Sequence, residues 1–398
     1  MRFAGRAEQV APFYVMEFAR RAAALEAQGH HVVKLSVGEP DFGAPPAVLS
    51  ALNDAVQQGA LPYTNALGLG ELRKAISGFY ATAHSVEIDP ARIAITAGAS
   101  AALLLLSAAL VEPSDEVIVG DPSYPCNRHF LTSFGANVTL VPTTAADRFQ
   151  LTAELVRNHW TNRTRGLVMA TPSNPTGTSI DPGELSAICE FARNQEAWRL
   201  VDEIYLNLSD HTRDGEPPQT VLASDPEAIV INSFSKYFGM TGWRLGWCVV
   251  PVDMVPVVER LAQNYYICPS TPAQHAALAC FHPESLAVCE ERRAALGRRR
   301  AFVLSRLREI GLHVPVEPDG AFFVYLDISA TGLNAWQFCE RALDEAHVSL
   351  APGKDFGRSG AHTHVRLSYA ASMADLREGL DRLSTFIAHL DAGSLMQI

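Results

Sequence analysis

One lysine, Lys236, lies between small hydroxyl residues and aromatic residues in the segment NSFSKYFGMTGWRLGW, which follows an apolar run. Lysine is rarely buried unless something compensates its charge. Reaction of the amine with an aldehyde, to form an imine, would solve that problem. The same segment contains the hydroxyls of Ser233 and Ser235 and the guanidinium of Arg244, a planar fork that suits a phosphate group. The segment therefore predicts a lysine that reacts with a carbonyl compound beside a bound phosphate.

A second group of small residues is suited to anion binding. The sequence AGAS (residues 97–100) stands between the apolar run IAIT and a longer apolar run that predicts a buried helix. At such a strand-to-helix turn Gly98 would allow a close approach, and the backbone N–H groups of Ala99 and Ser100 would donate to a phosphate at the helix N-terminus. Small residues are also common as ordinary helix caps, so this alternative stays open.

Four further residues follow other apolar runs and suit the parts of an aromatic ring. Tyr124, in DPSYP, could lie flat on the ring. Asn174, between two prolines in TPSNPTGT, could donate from its amide to a fixed oxygen. Asp202 ends the apolar run WRLVD, and a buried carboxylate there needs a partner such as a protonated ring nitrogen. Tyr205 could reach the neighbouring ring oxygen. Structural alternatives exist for each: a tyrosine in a proline-rich loop, a simple turn, or a carboxylate paired with an arginine or a cap.

The elements that must position these residues are short apolar runs separated by helical segments. Several runs are almost entirely apolar, as in strands that are covered on both faces. Strand–helix alternation predicts an α/β fold with a largely parallel, doubly wound sheet, in which ligands gather at the carboxyl ends of the strands. The predicted strands are IAIT (93–96), EVIVG (116–120), NVTLV (137–141), GLVMA (166–170), WRLVD (198–202), AIVIN (228–232) and GWCVV (246–250).

The last third of the chain has a different character. A long charged helix, ESLAVCEERRAALGRRRAFVLSRLREIG, leads to two segments with the alternation of strands, GAFFVYLDIS and HVRLSY, and to a closing helix, MADLREGLDRLSTFIAHL. The first 29 residues read as one amphipathic helix that packs with this part, joined to the rest through the strand-like VVKLSVGEP. The sequence thus predicts a large domain over 41–289 and a smaller α+β domain formed by 1–40 and 290–398.

Composition excludes several classes of protein. With 32 basic and 43 acidic residues, the net charge of −11 argues against general affinity for nucleic acid or anionic membranes. Seven scattered cysteines without a C-x-x-C pair argue against a disulfide framework or a zinc site. The N-terminus has no apolar signal core, and the run AALLLLSAALV is too short to span a bilayer. These features predict a cytoplasmic protein with reduced thiols.

A phosphate, an aromatic ring, a protonated nitrogen, an adjacent hydroxyl and an aldehyde occur together in pyridoxal 5′-phosphate. At this point the chain strongly resembles the class I/II aminotransferases of the fold-type I pyridoxal-phosphate superfamily, to which aspartate aminotransferase belongs. The resemblance implies a mostly parallel seven-stranded sheet in the large domain. The motifs that carry it, in the family's order, are SVGEPDF, YTNALGLGELRKAI, TAGAS, TPSNPTGT, VDEIY, SFSKYFGMTGWRLGW and HVRLSYA.

The resemblance implies a role for each candidate residue. Lys236 would form the imine with the cofactor and later act as the base, which requires a lowered pKa. Asp202 would keep the pyridine nitrogen protonated, and Tyr124 would stack on the ring. Asn174 and Tyr205 would bind the phenolic oxygen. The implied phosphate site consists of Gly98, Ala99, Ser100, Ser233, Ser235 and Arg244, completed by Tyr63 of a neighbouring subunit in a homodimer with shared active sites.

On the substrate side, the resemblance implies that Arg366 clamps the α-carboxylate of an amino acid bidentately, with help from Asn174 and the Gly38 backbone N–H. The implied activity is transfer of an amino group from an L-amino acid to a 2-oxo acid, with 2-oxoglutarate expected, by a ping-pong mechanism through pyridoxamine phosphate. Arg128, just past Tyr124, is a candidate for binding a second substrate carboxylate, although a surface arginine is the simpler interpretation.

Two other functions remain open at the level of sequence. A lyase of the same fold, such as a cysteine-conjugate β-lyase, or a related α-carbon synthase would retain almost every residue named above. A transcription regulator with an aminotransferase-like domain would need a DNA-binding module, and the roughly forty residues before SVGEP lack a basic helix-turn-helix.

Overall fold

The structure, a computed structural model, describes residues 1–210 and 218–395. Its strands are β1 (Val33–Lys34), β2 (Ile93–Thr96), β3 (Glu116–Asp121), β4 (Asn137–Pro142), β5 (Thr164–Ala170), β6 (Trp198–Asp202), β7 (Ile229–Ser233), β8 (Gly246–Val249), β9 (Phe323–Asp327), β10 (Val348–Ser349), β11 (Ala351–Pro352) and β12 (His364–Ser368). Its α-helices are α1 (Gly5–Gln9), α2 (Tyr14–Ala27), α3 (Pro46–Gln57), α4 (Gly70–His84), α5 (Ala99–Leu110), α6 (Pro125–Ser133), α7 (Ala153–His159), α8 (Pro182–Asn194), α9 (Val255–Tyr265), α10 (Thr271–Ala277), α11 (Pro283–Glu309), α12 (Ala335–Ala346) and α13 (Met373–Leu395).

All seven strands predicted from the apolar runs form one sheet, which confirms the predicted α/β fold. Its order is β2-β8-β7-β6-β5-β3-β4, with β8 antiparallel to both neighbours and the remaining pairs parallel. Every residue of β2, β7 and β8 is buried, as nearly all-apolar strands require when helices cover both faces of a sheet. The edge strand β4 is the exception, and most of its residues are partly or fully exposed.

Parallel pairing brings the candidate residues together at the carboxyl ends of the central strands. The neighbours β5, β6 and β7 end at Ala170, Asp202 and Ser233, so the segments that follow them leave the sheet side by side. The helix α5 begins at Ala99, three residues beyond the end of β2. The motifs TPSNPTGT, VDEIY and SFSKYFG therefore start from adjacent strand ends, where α/β sheets bind ligands.

The C-terminal third builds a separate antiparallel sheet, in the order β11-β12-β9, and β10 pairs in parallel with β1. Both predicted strands are present, but their expected alternation of buried and exposed residues is wrong: four of five residues are buried in each. Val324 and Leu326 of β9 join the main hydrophobic core, while Tyr325 packs on the other face with Val15 and Phe356. Both faces are therefore covered.

The N-terminal segment is not the single helix expected from its pattern. It forms the short α1 and then α2, and Pro12 lies in the break between them, where its missing N–H and fixed φ disfavour a continuous helix. As predicted, α2 packs against the C-terminal part: the rings of Phe18 and Trp336 lie 5.2 Å apart, and Arg21 Nη1 donates to Glu340 Oε1 at 2.7 Å. Of the strand-like VVKLSVGEP, only Val33–Lys34 is a strand.

The long charged helix of the C-terminal third is α11, which runs unbroken for 27 residues. The predicted domain boundary between residues 289 and 290 lies inside it, and the division into 41–289 against 1–40 with 290–398 stays a prediction. Within the described ranges, none of the helices combines the length and the apolar character that crossing a bilayer requires.

Candidate active site

A cavity of about 340 Å³ opens at the carboxyl ends of the central strands, and the C-terminal sheet and α2 close its other side. Twelve of the fifteen candidate residues discussed from the sequence line it. They are Gly38, Ala99, Ser100, Tyr124, Asn174, Asp202, Tyr205, Ser233, Ser235, Lys236, Arg244 and Arg366. These residues come from segments that are far apart in the chain, and the fold brings them together around one cavity.

One end of the cavity has the features of an anion site. Gly98 precedes α5 with a φ of +83°, and a Cβ added to it would lie 2.6 Å from Nη2 of Arg244. A side chain at this position would therefore displace the guanidinium from the helix N-terminus. Ser233 Oγ donates to Ser235 Oγ at 2.9 Å beneath this turn. A helix N-terminus, a guanidinium and two hydroxyls together favour a bound phosphate.

Lys236 is the basic group at the centre of the cavity. Its Nζ donates to the carbonyl oxygen of Gly38 at 2.7 Å. Burial lowers the pKa of its amine from the usual 10.5 to about 8, with smaller contributions from the cations Arg366 and Arg244 and with Glu39 acting in the opposite direction. The lowered pKa agrees with the sequence-based expectation. Its principal cause in this chain is burial.

Asp202 is the acidic group, placed where β6 ends and only 4% exposed. Burial raises the pKa of its carboxyl from 3.8 to about 6, although the backbone N–H of Ile204 donates to Oδ1 at 3.1 Å. Tyr205 is buried edge-on against Phe322 and Phe323, and desolvation raises the pKa of its phenol. A buried carboxylate with a single backbone donor is suited to a cationic or N–H ligand group.

Arg366 lies on the opposite wall and is 2% exposed. Its Nη1 donates to Asn174 Oδ1 at 2.8 Å and its Nη2 to the carbonyl oxygen of Ser36 at 2.6 Å, while the buried Nε has no hydrogen-bond partner in the part of the chain that the structure describes. Burial lowers the pKa of the guanidinium from 12.5 to about 10, so it stays protonated near neutrality. Among the described residues Arg366 forms no ion pair, and a buried cation in that condition favours an incoming carboxylate.

Gly38 contributes to the site in a way that the sequence did not indicate. Its carbonyl oxygen accepts the hydrogen bond from Lys236, and a Cβ added to it would lie 3.7 Å from the Phe323 ring and 4.0 Å from Arg366 Nη1. The predicted use of its backbone N–H on a substrate carboxylate stays a prediction.

Three residues discussed from the sequence lie off the cavity. Gly98 stands behind Arg244, as described above, and Tyr63 is 79% exposed on the surface. Arg128 fits neither of its two interpretations, because it is half-buried and does not line the cavity. Its Nη2 donates to the carbonyl oxygen of Asp355 at 3.0 Å, and its buried Nη1 has no hydrogen-bond partner within 1–210 and 218–395.

The sequence analysis missed an apolar wall of the cavity. Phe13, Val15, Met16 and Ala19, all in or next to the first turns of α2, line it together with the loop that contains Glu39. The same spacing of apolar residues is typical of a helix that packs against a hydrophobic core. The sequence pattern therefore did not indicate that these residues face a cavity. The motif SVGEP was recognised, but its contribution through the Ser36 and Gly38 carbonyl oxygens depends on backbone geometry.

With this fold and this site, the chain belongs to the class I and II aminotransferases, whose family model matches residues 30–383. Members of this family are in general dependent on pyridoxal phosphate, and the central sheet has the fold-type I arrangement.

Individual relatives match over almost their full length. The chain is 38% identical to the valine–pyruvate aminotransferase of Mycobacterium tuberculosis over 95% of its own length and 97% of that protein. An arginine–pyruvate transaminase of Pseudomonas aeruginosa is 34% identical, with 93% of each chain covered. Among solved structures, the aspartate aminotransferase of Thermus thermophilus superposes with a TM-score of 0.91 at 33% identity, covering 97% of this chain and all of the other. An aminotransferase is therefore the class of enzyme to which this chain is similar throughout.

Proposed function

We propose that this protein is a pyridoxal-phosphate-dependent aminotransferase that passes the amino group of an L-amino acid to a 2-oxo acid in two half-reactions. The observation that carries the proposal is the arrangement of three buried groups around one cavity. They are Lys236 with a lowered pKa, Asp202 with a raised one, and Arg366, which forms no ion pair with any described residue. Reactive amine, acid and carboxylate receptor are the groups that this chemistry requires of the protein.

The residues present fit the cofactor. The α5 N-terminus, Ser233, Ser235 and Arg244 would hold its phosphate, and the close approach of Arg244 to Gly98 supports this role because a larger residue would disrupt it. Tyr124 would cover one face of the ring. When bound, the cofactor supplies a carbonyl for the amine and a conjugated ring that delocalises the charge left at the substrate α-carbon.

The chain's own residues would do the rest. Asp202 would hold a proton on the ring nitrogen, and the low polarity that raises its own pKa would also strengthen that contact. Asn174 and Tyr205 would donate to the ring oxygen. The amine of Lys236, with a pKa of about 8, is largely neutral above that pH. It would take the proton from the substrate α-carbon and give it up at the carbon on the other side of the amino nitrogen. Arg366 would orient the α-carboxylate so that this proton faces the amine.

We propose 2-oxoglutarate as an acceptor, with pyruvate as a second one to be compared. Two relatives named above act on pyruvate according to their names, with valine or arginine as the partner substrate. The acceptor must carry a carboxylate beside its carbonyl group, because Arg366 would bind the substrate carboxylate in both half-reactions.

We also propose a homodimer in which Tyr63 of each chain would reach the phosphate site of the other. Tyr63 is exposed, and so are Leu61, Tyr265 and Ile267. The segment around Tyr63 is anchored to the start of α10, since Thr271 Oγ1 donates to the carbonyl oxygen of Pro62 at 2.8 Å. Exposed large apolar residues are typical of interaction surfaces when they cluster.

The decisive experiment mixes the purified, cofactor-loaded protein with single amino acids in the absence of any 2-oxo acid. Transamination predicts that each active site releases about one oxo acid, changes its absorption once and then stops until 2-oxoglutarate or pyruvate is added. Continuous release of pyruvate and ammonia from a β-substituted donor would instead identify a β-lyase. If no donor changed the absorption and none released an oxo acid, both activities would be refuted.

A further inference from the structure

A second cavity, of about 370 Å³, lies apart from the active-site cavity, and the two share no lining residue in the part of the chain that the structure describes. It forms where α6 and the edge strand β4 meet the segment between β11 and β12. Its volume is within the range of about 300–1,000 Å³ that is usual for small-molecule sites. Its lining includes Arg128, His129 and Thr132 of α6, Val138 and Leu140 of β4, and Arg358.

Three basic side chains of this second cavity have almost no partners. Those of His129 and Arg358 form no hydrogen bond or ion pair with residues 1–210 or 218–395. The Arg128 guanidinium donates once, to the Asp355 carbonyl oxygen, and its buried Nη1 is unsatisfied among the same residues. Burial lowers the pKa of Arg128, and the charge of Arg358 acts in the same direction. Burial, followed by the charge of Arg128, lowers the pKa of His129. Arg128 therefore lies close to both groups, and an anion between them would relieve the repulsion.

Two carboxylates lie near these basic groups, but backbone donors occupy them. Asp121 Oδ2 accepts from the N–H groups of Arg358 and Ser359, at 3.0 and 3.1 Å. Asp355 accepts from the first two N–H groups of α2, at 2.7 and 2.6 Å. Both carboxylates oppose the effect of burial on the pKa of Arg128, yet within the described ranges neither forms an ion pair with it, and neither lines the second cavity. The basic side chains are therefore the charged groups that a ligand in this cavity would meet.

The composition of the lining indicates a phosphate group attached to a carbon body. A guanidinium presents a planar fork that suits phosphate oxygens, and here Arg128 and Arg358 bring two of them from different segments of the chain. A phosphate monoester carries a charge of about −1.5 to −2 near pH 7 and three strong acceptor oxygens. Val138 and Leu140, partly exposed on β4, add apolar surface, from which a bare anion would gain nothing.

We propose that the second cavity binds a small organic phosphate monoester, with the phosphate between Arg128 and Arg358 and the carbon body against Val138 and Leu140. Inorganic phosphate is the other source of the same anionic group, and the experiment below separates the two. The site is distinct from the active-site cavity, so the proposal does not depend on the aminotransferase function.

The position of the second cavity also keeps it away from the proposed dimer surface. The segment around Tyr63 lies beside β2, since Ile95 N donates to the carbonyl oxygen of Leu67 at 3.0 Å. The second cavity adjoins β4 instead. These two strands are the opposite edges of the seven-stranded sheet, roughly 28 Å apart at the usual spacing of strands. The neighbouring subunit is therefore not required to complete this site.

Calorimetry with three probes tests the class of ligand. The cofactor-loaded protein, freed of excess cofactor, is used so that the phosphate site at the α5 N-terminus is already occupied. Phenyl phosphate is expected to bind at one site per chain, and about tenfold or more tightly than inorganic phosphate, which lacks the carbon body, or benzoate, which carries a carboxylate in place of the phosphate. Equal or tighter binding of inorganic phosphate would overturn the monoester, and equal or tighter binding of benzoate would overturn the phosphate. Absence of binding by all three would overturn the site itself.

Substitution of Arg358 tests where the probe binds. Arg358 is exposed, and its side chain forms no hydrogen bond with the described residues, so Arg358→Gln should leave the fold intact. The affinity for phenyl phosphate should fall by about tenfold or more, the usual loss for a charge-assisted hydrogen bond. Arg298→Gln is the matched control, because Arg298 is an exposed arginine of α11 that lines neither cavity. An unchanged affinity in Arg358→Gln, or an equal loss in Arg298→Gln, would overturn the placement.

Thr132→Glu gives an independent test, because it places a carboxylate inside the second cavity. The Thr132 hydroxyl donates to the His129 carbonyl oxygen of its own helix at 3.1 Å, so the substitution breaks no hydrogen bond to another element among the described residues. The new carboxylate should reduce the affinity for phenyl phosphate by about tenfold or more, whereas the uncharged Thr132→Gln should retain most of it. Turnover of an amino donor should stay unchanged, because Thr132 does not line the active-site cavity. Retained affinity in Thr132→Glu would overturn the site, and a fall in turnover as large as the fall in affinity would overturn its separation from the active-site cavity.

Discussion

The two sides of the active-site cavity differ in the chemical character of the side chains that line them. The side formed by the central sheet consists of polar groups at strand ends or just beyond them: Asp202 and Ser233 are the last residues of β6 and β7, and Lys236 follows β7 in a turn. The opposite side combines Arg366 on β12 with the apolar beginning of α2. In the function proposed above, the first side would hold the cofactor and the second would receive the substrate.

This difference has an energetic basis. Burial shifts the pKa values of Asp202 and Lys236, so keeping these groups charged is unfavourable in the free chain, and the hydrogen bonds with the Ile204 N–H and the Gly38 carbonyl oxygen offset only part of that cost. The α2 wall carries no such penalty, because apolar residues lose nothing by facing an apolar ligand. Substitutions on the sheet side should therefore affect catalysis itself, and substitutions on the α2 side should alter which substrate is used.

The largest expected effect is that of Lys236→Ala. Removing the amine removes the group that bonds to the cofactor and moves the proton, so turnover should fall by about 10⁴-fold or more. Borohydride treatment followed by peptide mass analysis should place the cofactor on residue 236 in the wild type alone. Turnover at the wild-type rate in the variant would refute the role of Lys236.

Asp202→Asn should reduce the rate by about 10²–10³-fold, because an amide cannot stabilise a proton on a ring nitrogen as a carboxylate does. Glu203→Gln is the matched control. Glu203 is equally buried, but its carboxylate accepts from Thr220 Oγ1 and the Val221 N–H, both at 2.7 Å, and it does not line the cavity. Single-turnover rates at saturating donor should separate the two; similar losses in both variants would indicate a general structural effect.

Arg366→Ala should act mainly on substrate binding. Loss of a buried guanidinium that clamps a carboxylate typically costs 2–5 kcal/mol, so KM for the amino donor should rise by about 10²-fold. The cofactor-binding side does not contain this residue, so the affinity for the cofactor should change little. A variant with an unchanged dependence of rate on donor concentration would remove Arg366 from the substrate site.

Much of the sheet side could be predicted from the sequence because its constraints are local. A buried strand needs a nearly continuous apolar run, and all seven such runs became strands of one sheet. The candidate polar residues stand directly after those runs, so parallel pairing of β5, β6 and β7 was sufficient to bring Asn174, Asp202 and Lys236 into one region. Locating the strands therefore located most of the site.

The other side depended on contacts that the local sequence does not contain. The apolar stripe of α2 is compatible with either a core or a cavity. Its first turn is held in place by hydrogen bonds that the N–H groups of Tyr14 and Val15 donate to Asp355, some 340 residues away in the chain. Pro12 divided the expected single N-terminal helix. Arg128 was interpreted either as a candidate for binding a second substrate carboxylate or as a surface arginine, whereas its hydrogen bond to the Asp355 carbonyl oxygen holds it half-buried and away from the active-site cavity.

The lowered pKa of Lys236 predicts a pH effect on cofactor uptake that should be about tenfold. Only the neutral amine attacks a carbonyl, and its fraction rises as the pH increases through the pKa. With a pKa of about 8, roughly a tenth of the amine is neutral at pH 7 and most of it at pH 9, against well under 1% and a few per cent for an ordinary lysine. Stopped-flow uptake of the cofactor by the cofactor-free protein should therefore level off just above pH 8. A rate that continues to rise tenfold per pH unit up to pH 10 would contradict the shift.

The smallest expected effect, a change of a few-fold, concerns the capping of α2. Asp355→Ala leaves the N–H groups of Tyr14 and Val15 without their acceptor, at a cost typical of a lost helix cap, about 1 kcal/mol. The wall should loosen, so kcat/KM should fall several-fold more for leucine than for alanine. Asp355 also influences the charge environment of Arg366, but that effect applies to every donor equally and cancels in the leucine-to-alanine ratio. Asp355→Asn, which retains an acceptor, should restore most of the ratio, and an equal loss for both donors in Asp355→Ala would show that the cap supports stability without shaping selectivity.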